Sequence, residues 1–80
     1  MMPRFHFHVR TSLGVEADDD GIPFQNLEAA TEDARASLFE MIADQLATGR
    51  RTTYLGIDIS DDLGTVLAVV TVDDAIDRNV

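Results

Sequence analysis

Hydrophobic and polar residues alternate strictly in the first segment of the chain, from Arg4 to Arg10. The apolar positions are Phe5, Phe7 and Val9. A repeat of two residues predicts a strand with one buried face. We therefore expect the apolar set to face the core, and His6 and His8 to lie on the opposite face.

A polar segment with turn residues follows this strand. Leu13 and Val15 can form a short second strand, which would make Arg4–Val15 a hairpin. The sequence Asp18-Asp19-Asp20-Gly21 predicts a turn, because Asp bonds to nearby backbone and Gly accepts positive φ.

The middle of the chain has the pattern of an amphipathic helix. Its apolar positions recur in steps of three and four: Leu27, Ala30, Ala34, Leu38, Met41, Ile42 and Leu46. Asn26 is a favourable N-cap, and Gly49 stands where a helix commonly ends in the left-handed conformation. The pattern predicts a helix of about 22 residues that begins at Leu27.

The last third reads as a hairpin with strands at Thr52–Ser60 and Thr65–Val72, joined by a turn at Asp61–Gly64. Alternation in the first strand groups Thr53, Leu55, Ile57 and Ile59 on one face, and Tyr54, Gly56 and Asp58 on the other. The second strand is apolar on both faces, which is typical of a central, covered strand.

These elements predict an α+β fold of the form β-(β)-α-β-β in a single domain, residues 1–80. One long helix packs on a three- to four-stranded, mainly antiparallel sheet, and residues 73–80 form a flexible or short helical tail. One helix covers only one face of a sheet. The second face would present His6, His8, Tyr54, Asp58, Leu67 and Val69.

That second face suggests self-association. We expect a homodimer formed through this face or a strand edge, with His6, His8, Tyr54, Leu67 and Val69 at the interface. The alternative is a partly solvated sheet face against which the tail folds back.

Charge narrows the range of partners. Six basic residues, all Arg, against 15 acidic residues give a formal net charge of -9. This charge repels nucleic acid and favours cations or a basic protein. The chain lacks cysteine, the apolar run of a signal peptide and the roughly 18 apolar residues of a membrane span. We expect a cytoplasmic protein without membrane association.

Candidate chemistry is sparse. His6 and His8 lie about 7 Å apart on one side of a strand, so they are possible zinc or nickel ligands if further ligands approach. The acidic segment from Glu16 matches the start of an EF-hand loop, but Leu27 stands where a bidentate Glu is required. No nucleophile motif or phosphate-binding loop occurs. We therefore predict no cofactor and no enzymatic activity.

The motif Pro3-Arg4-Phe5-His6-Phe7-His8-Val9-Arg10 resembles the opening of a family of small bacterial proteins classed as a domain of unknown function. The resemblance continues through Asp19-Asp20-Gly21, through Phe24 to Ala30, and to the turn at Asp61–Gly64. It implies the fold and a bacterial origin, but no activity. The acidic residues beyond Val72 depart from the family pattern.

The first strand, the acidic turn and the helix start are also similar to HicB-like antitoxins, in which an acidic domain binds a basic toxin. The strands expected between turn and helix are missing here, where only Ile22 to Asn26 intervene. The leading hypothesis is a noncatalytic interaction protein. The alternatives are an antitoxin-like inhibitor of a basic toxin and a weak metal-binding protein that uses His6 and His8.

Overall fold

The computed structural model describes residues 2–78. Its elements follow the order β1 (Arg4–Thr11), β2 (Gly14–Glu16), β3 (Ile22–Pro23), α1 (Leu27–Ala47), β4 (Tyr54–Ser60), β5 (Val66–Thr71) and α2 (Val72–Arg78). The predicted α+β class, the β1–β2 hairpin and the β4–β5 hairpin are confirmed. β3 was not expected.

The strands form one antiparallel sheet in the order β2-β1-β4-β5, and β3 pairs with the first residues of β1. β1 therefore lies inside the sheet, with β4 on one side and β2 and β3 on the other. Phe7 pairs with Ile59 and Val9 with Ile57, which puts these four apolar side chains on the face that meets α1.

Helix α1 begins and ends as its sequence predicts. The Asn26 side chain accepts a hydrogen bond from Ala29 N at its start, and Gly49 adopts φ +75° just beyond its end. Its buried residues are Ala30, Ala34, Leu38 and Ile42, four of the seven predicted positions. Leu46 is exposed because the helix extends past the core there.

A shift in register corrects the predicted faces of β4. Arg10 pairs with Gly56, but Thr11 pairs with Tyr54, so Leu55 has no partner in β1. An extra residue of this kind reverses the alternation beyond it. Tyr54 consequently packs against the core instead of joining the histidine face, and Leu55 is exposed.

The prediction that the last strand is central was wrong. Within the described range β5 pairs only with β4, so it is an edge strand. Val66, Leu67 and Val69 are about half exposed, while Val70 is buried in the core. The apolar composition of both faces reflects a strand whose outer face is uncovered.

The tail is a helix rather than a frayed segment. α2 begins directly after β5 and packs beside α1, with Ala75 fully buried between them. Residues 79–80 of the predicted tail lie outside the described residues. No helix in the range 2–78 is long and apolar enough to cross a bilayer.

Candidate functional site

The face of the sheet opposite α1 gathers most of the polar residues that the sequence placed together. His8 pairs with Asp58 and His6 with Ser60 across β1 and β4, and Val69 pairs with Asp58 across β4 and β5. The two imidazole rings stack nearly parallel, with their centroids 6.3 Å apart. We call this surface the histidine face.

Two of the predicted interface residues are placed differently. Tyr54 lies on the helix side of the sheet, as described above. Leu67 falls where the register shifts, because Ile59 pairs with Ala68 but Ser60 pairs with Val66, and it is exposed without a partner in β4.

His6 is held between two oxygen acceptors. Its Nδ1 lies 2.9 Å from the Asp18 carbonyl oxygen and its Nε2 lies 2.8 Å from Asp62 Oδ1. The bond to Asp62 raises the pKa of His6 above its ordinary value of 6.5, and the bond to the Asp18 carbonyl raises it further against an opposing effect of desolvation. Both nitrogens therefore act as donors in the protonated ring.

His8 has the opposite hydrogen-bond pattern. Its Nδ1 accepts from Asp18 N at 3.1 Å, so the ring proton resides on Nε2, which donates to Ser60 Oγ at 2.8 Å. A serine nucleophile needs the reverse, an unprotonated nitrogen that removes the hydroxyl proton. In this arrangement His8 cannot act as the base for Ser60, although Ser60 is buried beside it.

Asp18 organises this corner of the molecule. It lies in the gap between β2 and β3, and its Oδ2 accepts from Phe7 N at 3.1 Å while its Oδ1 accepts from Asp20 N and Gly21 N. Partial desolvation acts to raise the pKa of Asp18, but these three backbone donors hold it below its ordinary value of 3.8. The sequence indicated a turn here without singling out this carboxylate.

A shallow cavity of about 250 Å³ opens between the acidic loop and the β4–β5 turn. It is lined by His6, His8, Asp18, Asp19, Ser60, Asp61, Asp62 and Gly64. All four imidazole nitrogens already have hydrogen-bond partners. Within residues 2–78 no three His, Asp or Glu side chains form a group that could hold a metal ion.

An ion pair crosses the histidine face next to these rings. Arg10 Nε lies 3.1 Å from Asp58 Oδ1, and both side chains are partly exposed. Arg10 belongs to β1 and Asp58 to β4. The next strand, β5, has no charged residue.

The two edges of the sheet differ in their protection. On one side, β2 and β3 are three and two residues long and contain Glu16 and Pro23. On the other side, β5 is six residues long, with neither a charge nor a proline. It lies within an uncharged stretch, residues 63–72, between Asp61-Asp62 and Asp73-Asp74.

Comparison with protein-family models gives one match, to a domain of unknown function, DUF6894, over residues 4–73. The chain belongs to the DUF6894 family. The match confirms the family resemblance drawn from the opening strand, and it ends one residue after Val72. The DUF6894 match gives no support to the resemblance to HicB-like antitoxins. No curated protein and no solved structure matches the chain.

Proposed function

We propose that the protein is a noncatalytic interaction module that forms a homodimer by antiparallel pairing of β5 with β5 of a second copy. The observation that carries this proposal is the unprotected β5 edge. Natural sheets protect their edges with charges, prolines or very short strands, and the β2–β3 edge of this sheet has all three. β5 has none of them.

A second copy is the occupant that fits this edge. A twofold interface brings the same strand together from both subunits, so the strand must be compatible with itself. Each copy has a net charge of -9, and two such copies repel wherever charged surfaces meet. Residues 63–72 form the longest uncharged stretch of the chain, and pairing there keeps most carboxylates apart.

Apolar surface supports the same interface. Val66, Leu67 and Val69 are 53%, 41% and 47% exposed along β5. Joined edge to edge, two sheets would bring these side chains together and extend the histidine face across both subunits. His8 has its ring proton on Nε2 and therefore cannot remove the proton of the Ser60 hydroxyl, which supports the noncatalytic part of the proposal.

The test is the mass in solution of the parent chain and of Val69→Asp. We expect the parent at twice 8.8 kDa by light scattering, and a folded monomer for the variant, because a carboxylate at the centre of the interface would face its own copy. A monomeric parent, or a dimeric variant, overturns the proposal.

Two further variants separate association from folding. Val69→Lys also charges β5 but places the ammonium opposite Asp58, where it favours the fold, and we expect a monomer with an unchanged circular dichroism spectrum. Val15→Asp adds the same charge on the opposite, protected edge and should remain dimeric.

A second candidate is binding of a basic protein, favoured by the net charge of -9. Salt distinguishes the two. Raising the NaCl concentration from about 0.05 M to about 0.5 M screens repulsion between two acidic copies, so the homodimer should tighten. A complex with a basic protein should weaken over the same range. A homodimer that dissociates when NaCl is added would contradict the expectation that repulsion between two acidic copies opposes the dimer.

A further inference from the structure

A second cavity lies on the helix side of the sheet, away from the histidine face and from the β5 edge. Its volume is about 170 Å³. The residues that line it are Phe7, Val9, Ile22, Asp33, Ala34, Ser37, Met41 and Ile57. We call it the helix–sheet cavity.

The cavity exists because α1 presents small side chains to β1. Ala34 and Ser37 are too short to fill the space above Phe7 and Val9. Apolar side chains that line such a space lack packing partners on one side, and a bound hydrocarbon group would supply them.

The rim of the cavity carries two polar groups without a role in the fold. Asp33 and Ser37 lie four residues apart on α1, and therefore on the same side of the helix. Within residues 2–78 neither side chain has a hydrogen-bond or ion-pair partner. Asp33 is exposed and Ser37 is half-buried at the mouth of the cavity.

We propose that the helix–sheet cavity binds a small organic cation, a primary amine with an aromatic or short aliphatic body. The hydrocarbon part lies against Phe7, Val9 and Ile57, and the ammonium group meets Asp33, with the Ser37 hydroxyl as a further acceptor. An apolar cavity of roughly 150 Å³ accommodates one benzene ring, so about 170 Å³ suits a ligand of this size.

Charge favours a cation over an anion or a neutral ligand. The net charge of -9 raises the concentration of small cations near the surface. Asp33 supplies an ionic contact at the mouth of the helix–sheet cavity, next to its apolar lining.

The probes are benzylamine and its neutral analogue, benzyl alcohol, followed by NMR of the Met41, Val9 and Ile57 methyl groups. We expect both to shift these methyls, with a Kd for benzylamine on the order of 1 mM, as small ligands of this size reach. Benzylamine should bind about two- to fivefold more tightly, the effect of one exposed ion pair.

Asp33→Asn should bring the Kd of benzylamine to that of benzyl alcohol and leave benzyl alcohol unaffected. Glu40→Gln removes one charge from the exposed side of α1 and is the matched control, with binding unchanged. Ser37→Leu fills the cavity and should abolish the methyl shifts caused by both probes.

The proposal is overturned if neither probe shifts the methyls, if the two probes bind equally to the parent, or if Glu40→Gln weakens benzylamine as much as Asp33→Asn does. Val9 and Met41 methyl shifts that appear on dilution of the Val69→Lys variant, which lacks the β5 contact, would assign the cavity to a second copy instead, and would also overturn it. The β5 dimer is tested separately, by the mass of the protein in solution. A failure of the dimer proposal can therefore be distinguished from a failure of the cavity proposal.

Discussion

Asp18 occupies a position where the sheet has no strand. Between β2 and β3 the chain leaves β1, and the backbone N–H of Phe7 would have no acceptor there. The carboxylate supplies one and accepts two further bonds from its own loop. Its backbone also bonds to both histidines, so a single residue joins the sheet edge, the loop and the histidine face.

Replacement of Asp18 by Ala should therefore be costly for a loop residue. We expect a loss of about 1–2 kcal/mol in the free energy of unfolding, because hydrogen bonds to a charged acceptor disappear and Phe7 N loses its partner. The measurement is urea denaturation. Asp19→Ala, next in the chain and exposed, is the control and should change stability by less than about 0.5 kcal/mol. Equal effects would contradict this role.

Gly21 shows which part of this loop the sequence could predict. Its φ of +75° agrees with the predicted turn, and a Cβ there would lie 2.4 Å from Arg4 Cγ. A positive φ is a local property of the backbone that glycine adopts readily, so the presence of a glycine is enough to predict it. The contact of Asp18 with Phe7 joins residues from different elements, and three consecutive aspartates do not indicate which one bends inward.

At the scale of elements, α2 is held by reciprocal bonds at its start. Asp74 N donates to Thr71 Oγ1, and Thr71 N donates to Asp74 Oδ2. The Thr71 backbone N–H, and after it the Thr71 hydroxyl, stabilise the Asp74 carboxylate and hold the pKa of Asp74 below its ordinary value of 3.8, against a smaller desolvation effect. The pattern Thr71-x-x-Asp74 is a capping box, and it was the available signal that the tail is helical.

Thr71→Val tests this cap while it preserves a β-branched residue at the end of β5. We expect a loss of about 1 kcal/mol in the free energy of unfolding and faster amide exchange in α2, because one helix-start donor loses its acceptor. Thr65→Val, at an exposed threonine outside any helix, should leave exchange in α2 unchanged. Unaltered exchange in Thr71→Val would show that packing of Ala75 alone holds the helix.

The sequence predicts an element correctly where the hydrophobic period continues without a break. The prediction fails where one extra residue interrupts that period. The buried apolar positions of α1 continue from Ala30 to Ile42, and their period was sufficient to predict the helix. In β4 the unpaired Leu55 reverses the faces, and neither its identity nor that of Tyr54 indicates this. Likewise, the apolar residues on both faces of β5 are compatible with a central strand and with an edge strand. The amino-acid composition of a strand does not show whether another strand pairs with its outer side.

At the scale of the whole molecule, His6 links two distant loops. It joins the acidic loop through Asp18 and the β4–β5 turn through Asp62. Because folding raises the pKa of His6, the protonated ring favours the native state. This stabilisation is complete below the unfolded pKa of about 6.5 and disappears as the pH rises through the higher pKa of the folded state.

We therefore expect His6→Gln to lower the urea midpoint at about pH 5.5 and to have a smaller effect at about pH 9. Asp62→Asn should lower the pKa of His6 in an NMR titration, since its bond is the largest cause of the shift. Asp19→Asn, in the same cavity but without a bond to His6, should alter it little. A His6 that titrates at or below its ordinary pKa refutes this link.

The inner position of β1 also constrains how the chain reaches its native state. β1 can form its hairpin with β2 at once, but its longer ladder awaits β4, which follows the entire helix α1. Contacts so distant in sequence slow folding. A fragment that stops before Tyr54 would leave Phe7 and Val9 without Ile59 and Ile57, their partners in β4, so neither half of this molecule is expected to fold independently.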